Sequence, residues 1–162
     1  MNSVSKYLTL EQCFKSDTAL RLGIDNTTTD PEIIEALRQL GINVYDKVKG
    51  KFTKCYPSSV FRCKELNEAI KGSLSSQHCK GEAIDIDSPS NAYNLEIFKW
   101  VMKNVDFDQL LAEFPTQDGL SWVHISFKSG LKNREEILVA SGVKSGRGAT
   151  YVPFTGLESW YK

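Results

Sequence analysis

Apolar positions along the chain fall into two alternating rhythms. Thr9-Leu10-Glu11-Gln12 has the form of a capping box, and Ser16-Asp17 offers a second cap before Thr18-Ala19-Leu20-Arg21-Leu22, closed by Gly23. Both predict short helical turns, followed by a loop from Asp25 to Thr29. Asp30-Pro31-Glu32 starts a long helix, with a capping Asp, Pro at the first helical position and an acid in the first turn. Ile33, Ile34, Leu37, Leu40, Val44 and Val48 then recur at helical spacing and predict one core-facing stripe, which Gly41 weakens midway.

A strand is expected near Phe52 to Tyr56, broken by Pro57-Ser58-Ser59, and a helix over Lys64 to Ile70, stopped by Gly72. Glu82 to Asp87 alternates apolar residues with acids and suits a strand. Asn91 to Val105 reads as the second long helix, with Leu95, Phe98, Trp100, Val101 and Met102 on its apolar face. Gln109 to Phe114 and Ser121 to Phe127 are two more strands joined by a Pro/Gly/Asp loop, and Ile137 to Ala140 is expected as a last edge strand. Helices and strands do not alternate regularly, so the pattern predicts an α+β fold, a small antiparallel sheet flanked by helices.

After residue 141 the composition shifts. Gly142, Lys144, Ser145, Gly146 and Gly148 read as a flexible segment, and Tyr151, Phe154, Trp160 and Tyr161 bring aromatics back. We therefore divide the chain into a domain over 1–141 and a Gly-rich, aromatic tail over 142–162. The tail is expected to lie on its own domain, with contact to a partner as the alternative.

At 162 residues the chain can bury a core as one domain. Its 20 basic and 20 acidic residues cancel, so no field of one sign draws it to nucleic acid or to an anionic membrane. No stretch is long and apolar enough for membrane insertion. Residues Met1 to Gln12 lack the basic and apolar runs of a signal peptide, which predicts synthesis in a cytoplasm. The four cysteines, Cys13, Cys55, Cys63 and Cys79, lack zinc-ribbon spacing and are expected as free thiols.

The two histidines change the picture. His78 lies in Ser75-Ser76-Gln77-His78-Cys79-Lys80-Gly81-Glu82-Ala83-Ile84-Asp85-Ile86-Asp87, and His124 in Trp122-Val123-His124-Ile125-Ser126. Gly81 permits a bend between the His78 turn and the following strand. Asp85 can then swing toward a metal held by that turn, and Asp87, on the same side by strand alternation, is the rival ligand. Three such ligands suit a catalytic zinc, which leaves a fourth position open to water.

Ser76-x-His78-x-x-Gly81-x-Ala83-x-Asp85 together with Trp122-x-His124 resembles the zinc D-alanyl-D-alanine peptidase family. That family includes DD-carboxypeptidases, DD-dipeptidases and phage endolysins, and it shares its fold with the hedgehog signalling domain. The opening Tyr7 to Glu11 and the stretch Ser16 to Asn26 are similar to its phage-type branch, and the resemblance runs from Tyr7 to Ala140.

The resemblance implies zinc as cofactor, with His78, Asp85 and His124 as its ligands. Ser58-Ser59-Val60-Phe61-Arg62 followed by Leu66-Asn67 stands where the family has Ser-Gly-Tyr-Arg and a Leu-Asn pair. This implies that Arg62 steadies the scissile carbonyl and its oxyanion. Ser76 matches a substrate-orienting position, and Trp122 is a candidate to line the cleft. Many relatives carry an acid three residues before the last histidine, where this chain has Ser121, which cannot act as a base. Glu113 in Phe107 to Phe114 is the candidate base, with Asp118 second.

The implied substrate is the peptidoglycan stem peptide, with the bond left open among D-Ala-D-Ala carboxypeptidase, endopeptidase and L-Ala-D-Glu endolysin activities. A phage or prophage source is implied, acting on the wall after release from the host cytoplasm or delivery in a virion. The alternative is a virion structural or wall-binding protein that kept the fold and lost catalytic competence.

Overall fold

The computed structural model describes residues 3–143 and 149–162. Lys144, Ser145, Gly146 and Gly148, read above as flexible, lie outside the described residues. Local capping determines most helix starts. Thr9 closes a capping box with Gln12 at α1 (Leu10–Phe14), Ser16 caps α2 (Asp17–Leu22), and Asp30 caps α3 (Pro31–Leu40).

The long helical stripe does not end at Gly41. It passes through a π-helical turn over Gly41–Tyr45 into α4 (Asp46–Lys51). A Cβ at position 41 would stand 2.7 Å from Ser5 Oγ, so glycine admits the N-terminal segment here. Asp46 secures that segment by accepting from Ser5 Oγ (2.8 Å) and from the backbone of Lys6 and Tyr7.

Helix α5 (Lys64–Ala69) and the long α6 (Asn91–Asn104, capped by Ser90) lie close to their expected ranges. The six-stranded sheet has the order β1-β2-β4-β3-β5-β6. Its strands are β1 (Tyr56–Ser59), β2 (Ala83–Asp87), β3 (Gln109–Thr116), β4 (Gly119–Ser126), β5 (Glu136–Val143) and β6 (Ala149–Pro153).

Three strand expectations are corrected. The first strand begins at Tyr56 and contains Pro57 rather than ending before it; β1 is an edge strand with a register irregularity there, and an edge tolerates a missing N–H. The segment expected as the last edge strand, Ile137 to Ala140, lies inside the sheet because β6 pairs along its outer side. Within an otherwise antiparallel sheet, β5 runs parallel to β3. Asp108 explains that crossover: its Oδ1 accepts from Arg134 N (3.2 Å), and its carbonyl accepts from Glu136 N (3.1 Å).

The boundary drawn after residue 141 thus falls within β5, and the segment that follows supplies a strand. Beyond it, Phe154 and Trp160 make edge contacts with Phe98 of α6, at centroid separations of 5.5 and 6.1 Å. One sheet face, with Ile84, Ile86, Leu110, Ala112, Val123 and Ile125, is buried in the same core as Leu37, Leu40, Val44, Ile97, Phe98 and Val101 of the helices. The opposite face carries the polar residues considered next.

Candidate metal centre

Strand pairing places the first elements of the site. Asp85 of β2 is directly opposite His124 of β4, which is opposite Leu111 of β3; two residues along, Glu113 is opposite Trp122. Directly paired residues, and residues two apart on a strand, share a face. Asp85, His124, Trp122 and Glu113 therefore stand on one side of the sheet, away from the helical core.

His78 joins them from a short 3-10 turn (Gln77–Lys80), which Gly81 closes in the left-handed region at φ 71°. At Gly81 a Cβ would come 2.8 Å from the carbonyl oxygen of Ile33, so glycine is required twice over. Gln77 Nε2 donates to Asp108 Oδ2 (3.0 Å), which ties the turn to the base of β3.

His78 Nε2 lies 3.4 Å from Asp85 Oδ1, and His124 Nδ1 lies 2.8 Å from the same oxygen. One ligand atom from each of the three residues falls within 4.8 Å of the others. Val60 O, 2.6 Å from His78 Nδ1, can only accept, so Nδ1 carries the proton and the lone pair is at Nε2. Both imidazoles are buried. Burial opposes ionisation of Asp85, but the two imidazoles beside it, with the His124 Nδ1 hydrogen bond, hold its carboxyl well below the usual range. Two imidazoles and one ionised carboxylate form a donor set suited to zinc, and structural zinc sites take four protein ligands rather than three.

This chemistry agrees with a comparison of the whole sequence: the model of the peptidase M15 family matches residues 6–126. The chain belongs to that family. No curated protein matches the chain. As an M15 chain it is a metallopeptidase of the zinc D-alanyl-D-alanine peptidase family, with a His-Asp-His cluster as its candidate zinc site. Among the described residues, no helix is long and apolar enough to cross a membrane.

In this M15 chain the rival ligand Asp87 is engaged elsewhere. Its Oδ1 accepts from Asn94 Nδ2 (2.9 Å) and its Oδ2 from Tyr56 OH (3.2 Å), so it joins β2 to α6 and β1. Ser121 donates to the carbonyl of Phe114 (2.9 Å). Asp118 sits exposed in the β3–β4 turn.

Glu113 is buried, and its Oε1 accepts from Tyr151 OH at 3.0 Å. Its Oε2 is buried with no hydrogen-bond partner among the described residues. Burial pushes the carboxyl up to about 7; His124 and the Tyr151 hydrogen bond pull it down, and the charge of Asp85 pushes it up. Carboxylates raised in this way are characteristic of acid–base chemistry.

Arg62 is held from several sides. Its backbone N–H donates to the His78 carbonyl (3.2 Å), and its Nη1 donates to Asn67 Oδ1 (3.3 Å). Asn26 clamps its neighbours, accepting from Cys63 N (2.8 Å) and donating to the carbonyl of Phe61 (3.1 Å). Ser76 caps the His78 turn with its backbone, accepting from Cys79 N at 3.2 Å. Trp122 is half-buried against Phe114, at a centroid separation of 5.2 Å.

Sequence reasoning missed Tyr151, Asn26 and the Val60 carbonyl. Asn26 lay in a quoted stretch without a role, and Tyr151 was one of several aromatics in the tail. A backbone carbonyl leaves no mark in a sequence.

Proposed function

We propose that this chain is a zinc-dependent peptidoglycan peptidase that hydrolyses an amide bond of the stem peptide. The observation that carries the reading is one convergence: His78, Asp85 and His124 meet on the sheet face that holds Glu113, a buried carboxylate with one oxygen unpartnered among the described residues. His78 Nε2, Asp85 and His124 would hold the metal. Bound there, zinc supplies Lewis acidity, polarising the scissile carbonyl and activating water.

Glu113 acts as general base at Oε2, takes a proton from the attacking water and returns it to the leaving amine. The Arg62 guanidinium stabilises the negative charge that develops on the carbonyl oxygen, and its tethers keep it from having to reorganise. Trp122 and Ser76 flank this centre and supply contacts to the peptide. Membership of the family supports a stem-peptide substrate, with D-Ala-D-Ala carboxypeptidase, endopeptidase and L-Ala-D-Glu cleavage as the alternatives. The similarity of the opening residues to phage-type members supports a phage or prophage source and action on the wall after release.

The test is incubation of the zinc-loaded protein with purified peptidoglycan and defined stem pentapeptides, with a chelated control, and mass analysis of the products. Chelator-sensitive cleavage is expected, and the product masses name the bond. No product from any substrate, with one zinc bound, would overturn this reading in favour of a wall-binding or virion structural protein that kept the fold.

A further inference from the structure

Strand β6 lies on the outer edge of the sheet, yet one of its side chains reaches the interior of the site. Tyr151 is paired with Ala140 of β5, and β5 runs parallel to β3 with Val139 beside Ala112. One residue further along, Ala140 follows Val139 on β5 as Glu113 follows Ala112 on β3. Strand alternation turns Glu113, Ala140 and Tyr151 to the same face. Because the middle residue has only a methyl group, the tyrosine can lean across β5. Its hydroxyl donates to Glu113 Oε1 at 3.0 Å.

We propose that Tyr151 is the positioning residue of Glu113, holding Oε1 so that Oε2 alone faces the metal centre as the proton-accepting oxygen. The proposal rests on the reading of Glu113 as the base. A carboxylate on a flexible side chain can present either oxygen, and a hydrogen bond to one removes that freedom before substrate arrives. The oxygen that accepts from a phenol is also the less basic of the two, so an incoming proton goes to the other. Oε2 is the atom that is buried without a partner among the described residues, as this division of labour requires.

The experiment compares Tyr151→Phe, Glu113→Gln and the double variant, each with full zinc content and a checked melting temperature. Tyr151→Phe is expected to lower kcat about 10- to 100-fold with KM nearly unchanged. In the Glu113→Gln background the same substitution is expected to cost nothing further. A second readout needs no turnover: in metal-free protein, the carboxyl carbon signal of Glu113 should titrate at higher pH in Tyr151→Phe, because a hydrogen bond to the ionised form is lost.

An unchanged kcat in Tyr151→Phe beside an inactive Glu113→Gln would overturn the positioning role and leave the base assignment standing. So would an equal further loss in the double variant, or an unmoved Glu113 titration. Full turnover by Glu113→Gln would overturn the base and the positioning role together.

Discussion

His78 Nδ1 donates to the carbonyl oxygen of Val60 at 2.6 Å, which leaves Nε2 with the lone pair that faces Asp85. Val60 directly precedes the Phe61-Arg62 pair, and the backbone N–H of Arg62 donates in turn to the carbonyl of His78. The segment that carries Arg62 thus also sets the tautomer of a candidate metal ligand. Such outer contacts make ligands more basic and orient them.

Metal removal should therefore affect the fold as well as turnover. Asp85 carries a partly buried negative charge beside two imidazoles, and a cation bound there stabilises the folded state alone. Chelation is expected to abolish activity and lower the melting temperature, and stoichiometric zinc to restore both. In Asp85→Asn the melting temperature should no longer respond to zinc; differential scanning calorimetry checks this.

The raised Glu113 carboxyl predicts a signature in the metal-free protein. Between the usual value of 4.5 and about 7, the unfolded chain has released this proton and the folded chain retains it. Stability from this group is complete below 4.5 and is lost as pH rises through about 7. Glu113→Gln should remove that share of the decline, which denaturant titrations across the window would reveal. Added zinc favours the carboxylate and should move the Glu113 titration to lower pH.

Arg62→Ala is expected to lower kcat by about 100- to 1000-fold, the usual cost of a lost oxyanion donor, while zinc content stays the same. Asn26→Ala leaves the Cys63 N–H and the Phe61 and Phe14 carbonyls without their partner. It should reduce stability by about 1–3 kcal/mol and turnover by less than Arg62→Ala. Steady-state rates and denaturant midpoints on the two variants separate these effects.

Asp108 holds three parts of the molecule together. It is fully buried, and Arg134 binds it through Nε and Nη2 (2.6 Å to Oδ2), with Gln77 and Lys128 on the same oxygen. Burial raises its carboxyl, but the Arg134 and Gln77 hydrogen bonds hold it down at about 2. Its stabilising share is present above the ordinary carboxylate range and is lost as pH falls through about 2. Asp108→Asn should cost about 2 kcal/mol, because half-exposed Arg134 can rehydrate, and should weaken zinc affinity through the freed His78 turn. Chemical denaturation and zinc titration measure the two losses.

Much of this architecture is legible along the chain because it is local. Thr9, Ser16, Asp30 and Ser90 each satisfy backbone donors within three residues, so helix starts follow from short sequence windows. The alternation of Ala83 to Asp87 marks β2, and the His78 and Asp85 spacing marks a turn followed by a strand. The π-helical turn at Gly41 was not legible, since its glycine answers to Ser5, far away in sequence.

By itself, then, the sequence determined the helix caps, the periods of the core faces and the residue types that can hold a metal. All of these depend on neighbours a few positions apart. Only the tertiary structure decided that β5 runs parallel to β3, that β6 takes the outer edge, and that Tyr151 reaches Glu113 across Ala140. Strand pairing is chosen by non-local hydrogen bonds and by buried groups such as Asp108, and a strand's own residues do not specify which partner lies beside them. The face a carboxylate occupies, and the proton it holds there, follow from that choice.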